Sequence, residues 1–452
     1  MRRHYVRSAI LATVLLVVAV ALTLGVALSA GPGKAAANGT PPPDFSGVKN
    51  VILFIGDGMG PEEMQLGRSL NGGGLLLDGI TWPGRMMIDT TSLEGVTDSA
   101  AAATALATGF ETANGWLSLV PTAWPDDLTP ILPWPETVLE RAEDWDKATG
   151  LVTTAEISAA TPAAFGAHVT DRDLDEEITT QIAGQDAEAL FSGSWSYDNL
   201  LRELAGVTNL YNLSDLQPYL RGPVAYDAGV YGFFGRMAYP LDREEEGVVG
   251  KQPTLAQMTT AAINVLKQDD EGFFLMVEQA TIDYGGHARD PGWVGADVND
   301  LDQAVKVAYD WAAGRTDTLI VVTADHETGG LVLNSKTNYA AIRKQTATTE
   351  WMWGLIAAKK MTIKQTLAKY AGITNLTATE ERLIAKNKEM GISDVLAARD
   401  KVKWGWSGTD EGDHTATPVE VRAWGPGAGA FSLSGFPDNE YIGDQLLTAV
   451  SN

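Results

Sequence analysis

Cysteine is absent from this chain of 452 residues. Its absence excludes disulfides, thiolate metal sites and a cysteine nucleophile, and with them the cysteine that anchors bacterial lipoproteins. Such a chain tolerates oxidising and reducing surroundings alike. Histidine is scarce as well, at five residues, so imidazole chemistry is confined to a few places. Positive charge is also in short supply: 33 Lys and Arg face 58 Asp and Glu, a net charge of −25. A nucleic-acid binder wants a basic face, which argues against that class. An anionic substrate would be repelled by the mean field. A site for one therefore needs concentrated positive charge, from metal ions or a placed arginine.

Charge is missing altogether from Ser8 to Ala30, an apolar run that follows the basic Arg2, Arg3 and Arg7. Residues 1–30 read as an export leader. Two outcomes stay open. A signal-peptide core is about 7–15 residues and a membrane span roughly 20, and this run has spanning length. Its end, Ala27-Leu28-Ser29-Ala30, has the small-x-small pattern that a signal peptidase cuts. Signal peptide or N-terminal membrane anchor, either places the remainder outside the cytoplasm: periplasmic, cell-surface or secreted. Residues 31–47, with Pro41-Pro42-Pro43, read as a flexible linker.

From residue 48 to 452 the pattern is that of one α/β domain. Buried strands are expected at 50–55, 150–154, 273–278 and 317–323, and helices at 98–108, 136–146, 178–190, 255–268 and 299–313. Strands separated by helices imply a central, mostly parallel sheet flanked by helices on both faces. Residues 340–400 show helical segments and no strand, and read as a helical insertion or cap. Within them Thr377 and Glu380 form a capping-box pattern for a helix through Met390. The Pro- and Trp-rich 116–135 reads as a surface loop.

Two kinds of fragment carry chemistry. In Asn50-Val51-Ile52-Leu53-Phe54-Ile55-Gly56-Asp57-Gly58 an apolar run stops at a carboxylate, which places Asp57 at the carboxyl end of a buried strand. Ligands of open α/β sheets bind at that edge. Leu319 to Val322 leads likewise into Asp325-His326, and the strand ending at Glu278 is followed by Asp283 and His287, four residues apart. His414 lies in the acidic loop Asp410-Glu411-Gly412-Asp413-His414. Carboxylates with imidazoles and no sulfur suit catalytic zinc, and an all-oxygen set suits magnesium. The second kind is Thr97-Asp98-Ser99 opening the Ala-rich run that ends at Gly109. Ser99 is either a helix N-cap or a nucleophile at a helix N-terminus, where the dipole favours phosphate.

Together the fragments 51–60, 97–109, 153–172, 275–287, 321–326 and the His414 loop resemble the alkaline phosphatases, in that family's order. The resemblance implies a phosphomonoester hydrolase that works through a phosphoserine at Ser99. It implies two zinc ions, one on Asp283, His287 and His414, the other on Asp57, Asp325, His326 and Ser99 itself. It further implies a magnesium ion on Asp57, Thr161 and Glu278, and a phosphate clamp at Arg172. Small phosphate monoesters would be the substrates and a homodimer the assembly. His168 matches a motif position without a ligand role and reads as structural.

Two positions depart from the family pattern. Ala159 stands where an Asp or His often supports the third metal's waters, and Tyr284 where Lys, His or Trp is usual. Loss of such a supporting acid weakens a metal site roughly 10–100-fold, so the expectation for magnesium is weaker than that for zinc. Competing readings are a phosphodiesterase of the same superfamily and a non-catalytic surface protein that binds metal or phosphate. A sulfatase is disfavoured because no Ser-x-Pro-x-Arg occurs.

Overall fold

The computed structural model describes residues 43–72, 74–193, 198–405 and 414–452. The leader, most of the linker and Asp410 to Asp413 lie outside them. Among the described residues no helix is long and apolar enough to cross a membrane.

Nine strands build the central sheet: β1 (Asn50–Gly56), β2 (Gly84–Ile88), β3 (Ala148–Thr153), β4 (Ala189–Ser192), β5 (Val207–Leu210), β6 (Gly229–Phe233), β7 (Phe273–Gln279), β8 (Thr318–Ala324) and β9 (Val419–Trp424). Their order is β2-β9-β8-β1-β7-β3-β4-β6-β5. All ladders from β8 to β5 are parallel, while β9 pairs antiparallel with both β8 and β2. Every residue of β1, β7 and β8 is buried. Since alternate side chains point to opposite faces, the sheet is covered on both. Helix Pro291–Ala312 packs against Pro61–Leu70 and Leu255–Leu266, and Ser99–Thr108 packs against Ala160–Gly166, Val138–Asp144 and Glu440–Val450.

The four expected strands correspond to β1, β3, β7 and β8, within a residue or two. The helix expected at 178–190 does not persist. It spans Asp175–Ile182, and the chain re-enters the sheet as β4. Ile178 and Ile182 give the helical spacing, whereas Ala189-Leu190-Phe191 is a buried run too short to show a period. The helix expected at 299–313 starts eight residues earlier, at Pro291, because Asp290 accepts from the amides of Gly292 and Trp293 and caps it. The 116–135 loop is exposed at its hairpin, Pro121–Ala123 with Asp127–Pro130, but its start is not: Leu117 is fully buried and pairs with Val169. Phe45, inside the expected linker, is already buried, against Gly427.

Residues 340–400 are helical, with a small core of their own that includes Met352, Leu367, Tyr370, Ile384 and Leu396. Thr377 and Glu380 close the capping box of the helix Ala378–Asp400, which runs past Met390 after a break at Lys388 (φ 59°). This cap is tied to the sheet domain just behind His287. Buried Asp290 accepts from Gln345 Nε2 at 2.6 Å and from the Thr349 amide at 2.8 Å. Ser393 donates to the Ala288 carbonyl, and Arg289 pairs with Asp394.

Candidate functional site

The carboxyl ends of four adjacent strands, β8, β1, β7 and β3, converge on one edge. Register places Gly56 of β1 beside Gln279 of β7 and Ala324 of β8, so the next residues, Asp57 and Asp325, emerge side by side. Glu278 is still in β7, and the helix Thr281–His287 that follows carries Asp283 and His287 on one face, four residues apart. His414 arrives from far along the chain because Glu327–Thr328 pairs with His414–Thr415 in a short antiparallel ladder.

Two donor sets result, each with its ligand atoms within 4.8 Å of one another: Asp283, His287 and His414; and Asp57, Asp325 and His326. In the outer set Asp283 meets His287 Nε2 at 3.1 Å and His414 Nε2 at 3.5 Å. His414 Nδ1 lies 2.9 Å from the Thr97 carbonyl, so its outward nitrogen is the one turned to Asp283. In the inner set His326 Nε2 lies 3.2 Å from Asp325 Oδ2 and 3.6 Å from Asp57 Oδ1. The His326 and His414 rings stack at 3.6 Å, so the two sets adjoin.

The N-cap of the helix Ser99–Thr108 is Asp98 rather than Ser99. Asp98 accepts from the Ala101 amide, so Ser99 is free of that duty. Its hydroxyl reaches His326 Nε2 at 3.1 Å. Arg172 comes to the same end of the helix and donates to Asp98 at 3.1 Å, while its backbone amide is held by the Gly115 carbonyl. Glu278 is buried and accepts from Thr153; the hydroxyls of Thr153 and Thr161 both favour its charge. All ten residues expected at the site thus lie at or beside this edge. His168 does not. It stacks on Trp134, and its ring nitrogens face the Ser118 carbonyl and Glu140.

Electrostatics test whether these residues fit cations. Burial and the neighbouring Asp325, Asp283 and Glu278 push the Asp57 carboxyl well above the usual range. Burial takes Asp325 to about 6 and Glu278 to about 7, with the other carboxylates adding to both. Asp57 Oδ1 and Asp325 Oδ2 are buried with no hydrogen bond, a costly state for oxygens that a cation would satisfy. His326 is held neutral by burial and by neighbouring His414, the form that ligates. The donor set of oxygen and nitrogen without sulfur is the type used at hydrolytic metal centres.

The model of the alkaline phosphatase family matches residues 48–198 and 224–451. The chain belongs to the alkaline phosphatase family. Alkaline phosphatase 4 of Bacillus subtilis is 34% identical over 420 residues, which is 86% of each chain. The Escherichia coli alkaline phosphatase is 35% identical over 343 residues, 62% of this chain and 70% of that one. The crystal structure of a cold-active Shewanella alkaline phosphatase superposes with a TM-score of 0.77 at 26% identity, covering 89% of this chain and all of that one. The enzyme is a phosphomonoester hydrolase of a metal-dependent family, and its two donor sets are candidate metal-binding groups.

Two supporting residues escaped the sequence reading. Asp98 orients Arg172 as well as capping the helix. Thr328 donates to Asp283 at 2.5 Å and stands 3.3 Å from His326 Nδ1. Its only sequence signal is its place two residues after His326 in an extended segment, which puts both side chains on one face.

Proposed function

We propose that the enzyme is exported and hydrolyses small phosphate monoesters through a phosphoserine at Ser99. The observation that carries this is the meeting of Ser99 with both donor sets and Arg172 at one sheet edge. Asp283, His287 and His414 would hold one zinc ion; Asp57, Asp325 and His326, with Ser99, a second; Asp57, Thr161 and Glu278 a magnesium ion. Bound zinc would acidify the serine hydroxyl and a water molecule and offset the charge of the transferring phosphoryl group.

The chain's own residues supply the rest. Ser99 Oγ, aligned by its contact with His326, attacks phosphorus and displaces the alcohol, leaving phosphate on the serine. Water then attacks phosphorus, and cleavage of the Oγ–P bond restores Ser99 and releases phosphate. The planar fork of Arg172 binds two phosphoryl oxygens while Asp98 fixes its direction. The helix N-terminus at Ser99 adds oriented amides to the same charge. Placed together, these groups provide the local positive potential that an acidic surface withholds. Ala159 caps Ala160–Gly166 with no side chain to offer, so the magnesium position has less support than the zinc positions.

The leader at 1–30 would direct export, with residues 8–30 either removed or kept as the anchor, and the working form would be a homodimer. Hydrolysis of an aryl phosphate is expected to disappear in Ser99→Ala and on chelation, and to return with added zinc. Full activity in either state refutes the reading.

A further inference from the structure

Thr328 touches the segments that bring Asp57, Asp283, His287, His326 and His414 to the edge. Its hydroxyl donates to Asp283 of the outer set and lies beside His326 of the inner set. Its backbone pairs with His414. Its side chain is wedged between two glycines. A methyl group on Gly58, next to Asp57 and held at φ +72°, would stand 2.7 Å from Thr328 Oγ1. One on Gly286, next to His287, would stand 2.8 Å from Thr328 Cγ2. The residue is fully buried, so its hydroxyl has no water to turn to.

This enclosure decides a proton's position. An ionised carboxylate only accepts hydrogen bonds. The Thr328 hydroxyl donates to Asp283 Oδ1 at 2.5 Å. The Thr328 proton is therefore committed to Asp283, and the lone pairs of Thr328 face His326 Nδ1. For that 3.3 Å contact to be favourable, Nδ1 must carry the hydrogen. Nε2 then presents its lone pair towards Ser99, Asp57 and Asp325.

We propose that Thr328 is a positioning residue that selects the Nδ1–H tautomer of His326 and couples the inner donor set to the outer one. The chain runs from His326 Nδ1–H to Thr328 Oγ1, and from Thr328 Oγ1–H to Asp283 Oδ1. An ordinary supporting group steadies one ligand; this one hydroxyl serves a ligand of each set. Binding of a cation to one set accordingly alters the ligand geometry of the other. The inference rests on the metal reading of the two sets given above.

Thr328→Val keeps the shape and removes both hydrogen bonds, and Thr328→Ser restores the hydroxyl with less bulk. Zinc titration of the full-length chain against a competing chelator is expected to show roughly 10–100-fold weaker binding in Thr328→Val. Both sites should be affected, and Thr328→Ser should return to within about threefold of wild type. In zinc-loaded protein labelled with nitrogen-15, the His326 Nδ1–H resonance should be shielded from exchange in wild type and Thr328→Ser. In Thr328→Val it should move upfield, as a donor that has lost its acceptor does. Should Thr328→Val fail to fold, the wild-type resonance still decides, since rapid exchange there overturns the proposal. Equal zinc affinity in wild type and Thr328→Val overturns this inference alone. Absence of zinc binding from the wild type overturns the metal reading and this inference with it.

Discussion

Asp57 and Asp283 are equally buried, each with about 6% of its surface exposed, yet their carboxyls are driven in opposite directions. Asp283 faces two imidazoles, which overcome burial and keep it ionised. Asp57 faces Asp325, Asp283 and Glu278, which add to burial and favour its proton. Depth alone therefore does not set ionisation; the sign of the neighbours does. The outer set largely neutralises itself, and a cation binding there must compete with the charge on His414, which Asp283 raises against burial. The inner set crowds buried carboxyl oxygens that make no hydrogen bond, so ionising them is costly until a cation compensates the charge.

The contrast predicts unequal losses. Asp57→Asn should lower zinc affinity and turnover by roughly 10²–10³-fold, the scale of breaking a buried charge pair. His287→Gln should cost roughly tenfold, because that ligand is partly exposed and water can take its place. Metal content and turnover of the two variants check this, and a greater loss at His287 would reverse the ranking.

Without metal the inner carboxyls should make stability depend on pH. Their folded pKa values lie above the unfolded ones, so the stabilising contribution is complete below about pH 4. It is lost as pH rises through about 6 for Asp325 and about 7 for Glu278. The chelated enzyme should therefore melt at falling temperature across that window, by an amount worth a few kcal/mol. Asp57→Asn should flatten the fall and leave the metal-free protein more stable than wild type. Thermal scans at a series of pH values with chelator present would show it, and a flat wild-type profile would contradict it.

Smaller effects mark the limits of the contrast. Gly58→Ala forces a side chain into a left-handed backbone against Thr328 and the Asp283 backbone. It should cost about 1–3 kcal/mol of stability and disturb both sets together, readable as a lower melting temperature with reduced zinc uptake. His168, away from the edge, should matter least. Its pKa is raised by Glu140 against burial, so its contribution is present below about pH 6.5 and fades as pH rises through the folded value. His168→Gln should lower stability by about 1 kcal/mol at pH 6, less at pH 9, with turnover unchanged at either.

Asp57, Asp325 and Glu278 were legible in the sequence because strands buried on both faces are continuous apolar runs, and a carboxylate ending such a run stands out. Their roles came from the family resemblance, not from the spacing. The edge strands were hidden. β4, β5 and β6 are four or five residues long, too short to show a period, and β9 joins β8 from almost a hundred residues away. Thr328 was hidden for another reason. A threonine beside a strand end looks like an ordinary β-former, and only the fold shows that its hydroxyl meets Asp283 and His326.

Asp290 bears on how far the molecule can be simplified. Removing residues 340–400 as a dispensable accessory would take away Gln345 and Thr349, two of the donors that make a buried carboxylate tolerable there. The exposed scar would lie three residues from His287. A minimal version of this enzyme would have to be redesigned at Asp290 before it was shortened, with a neutral residue such as serine or asparagine to start the helix Pro291–Ala312.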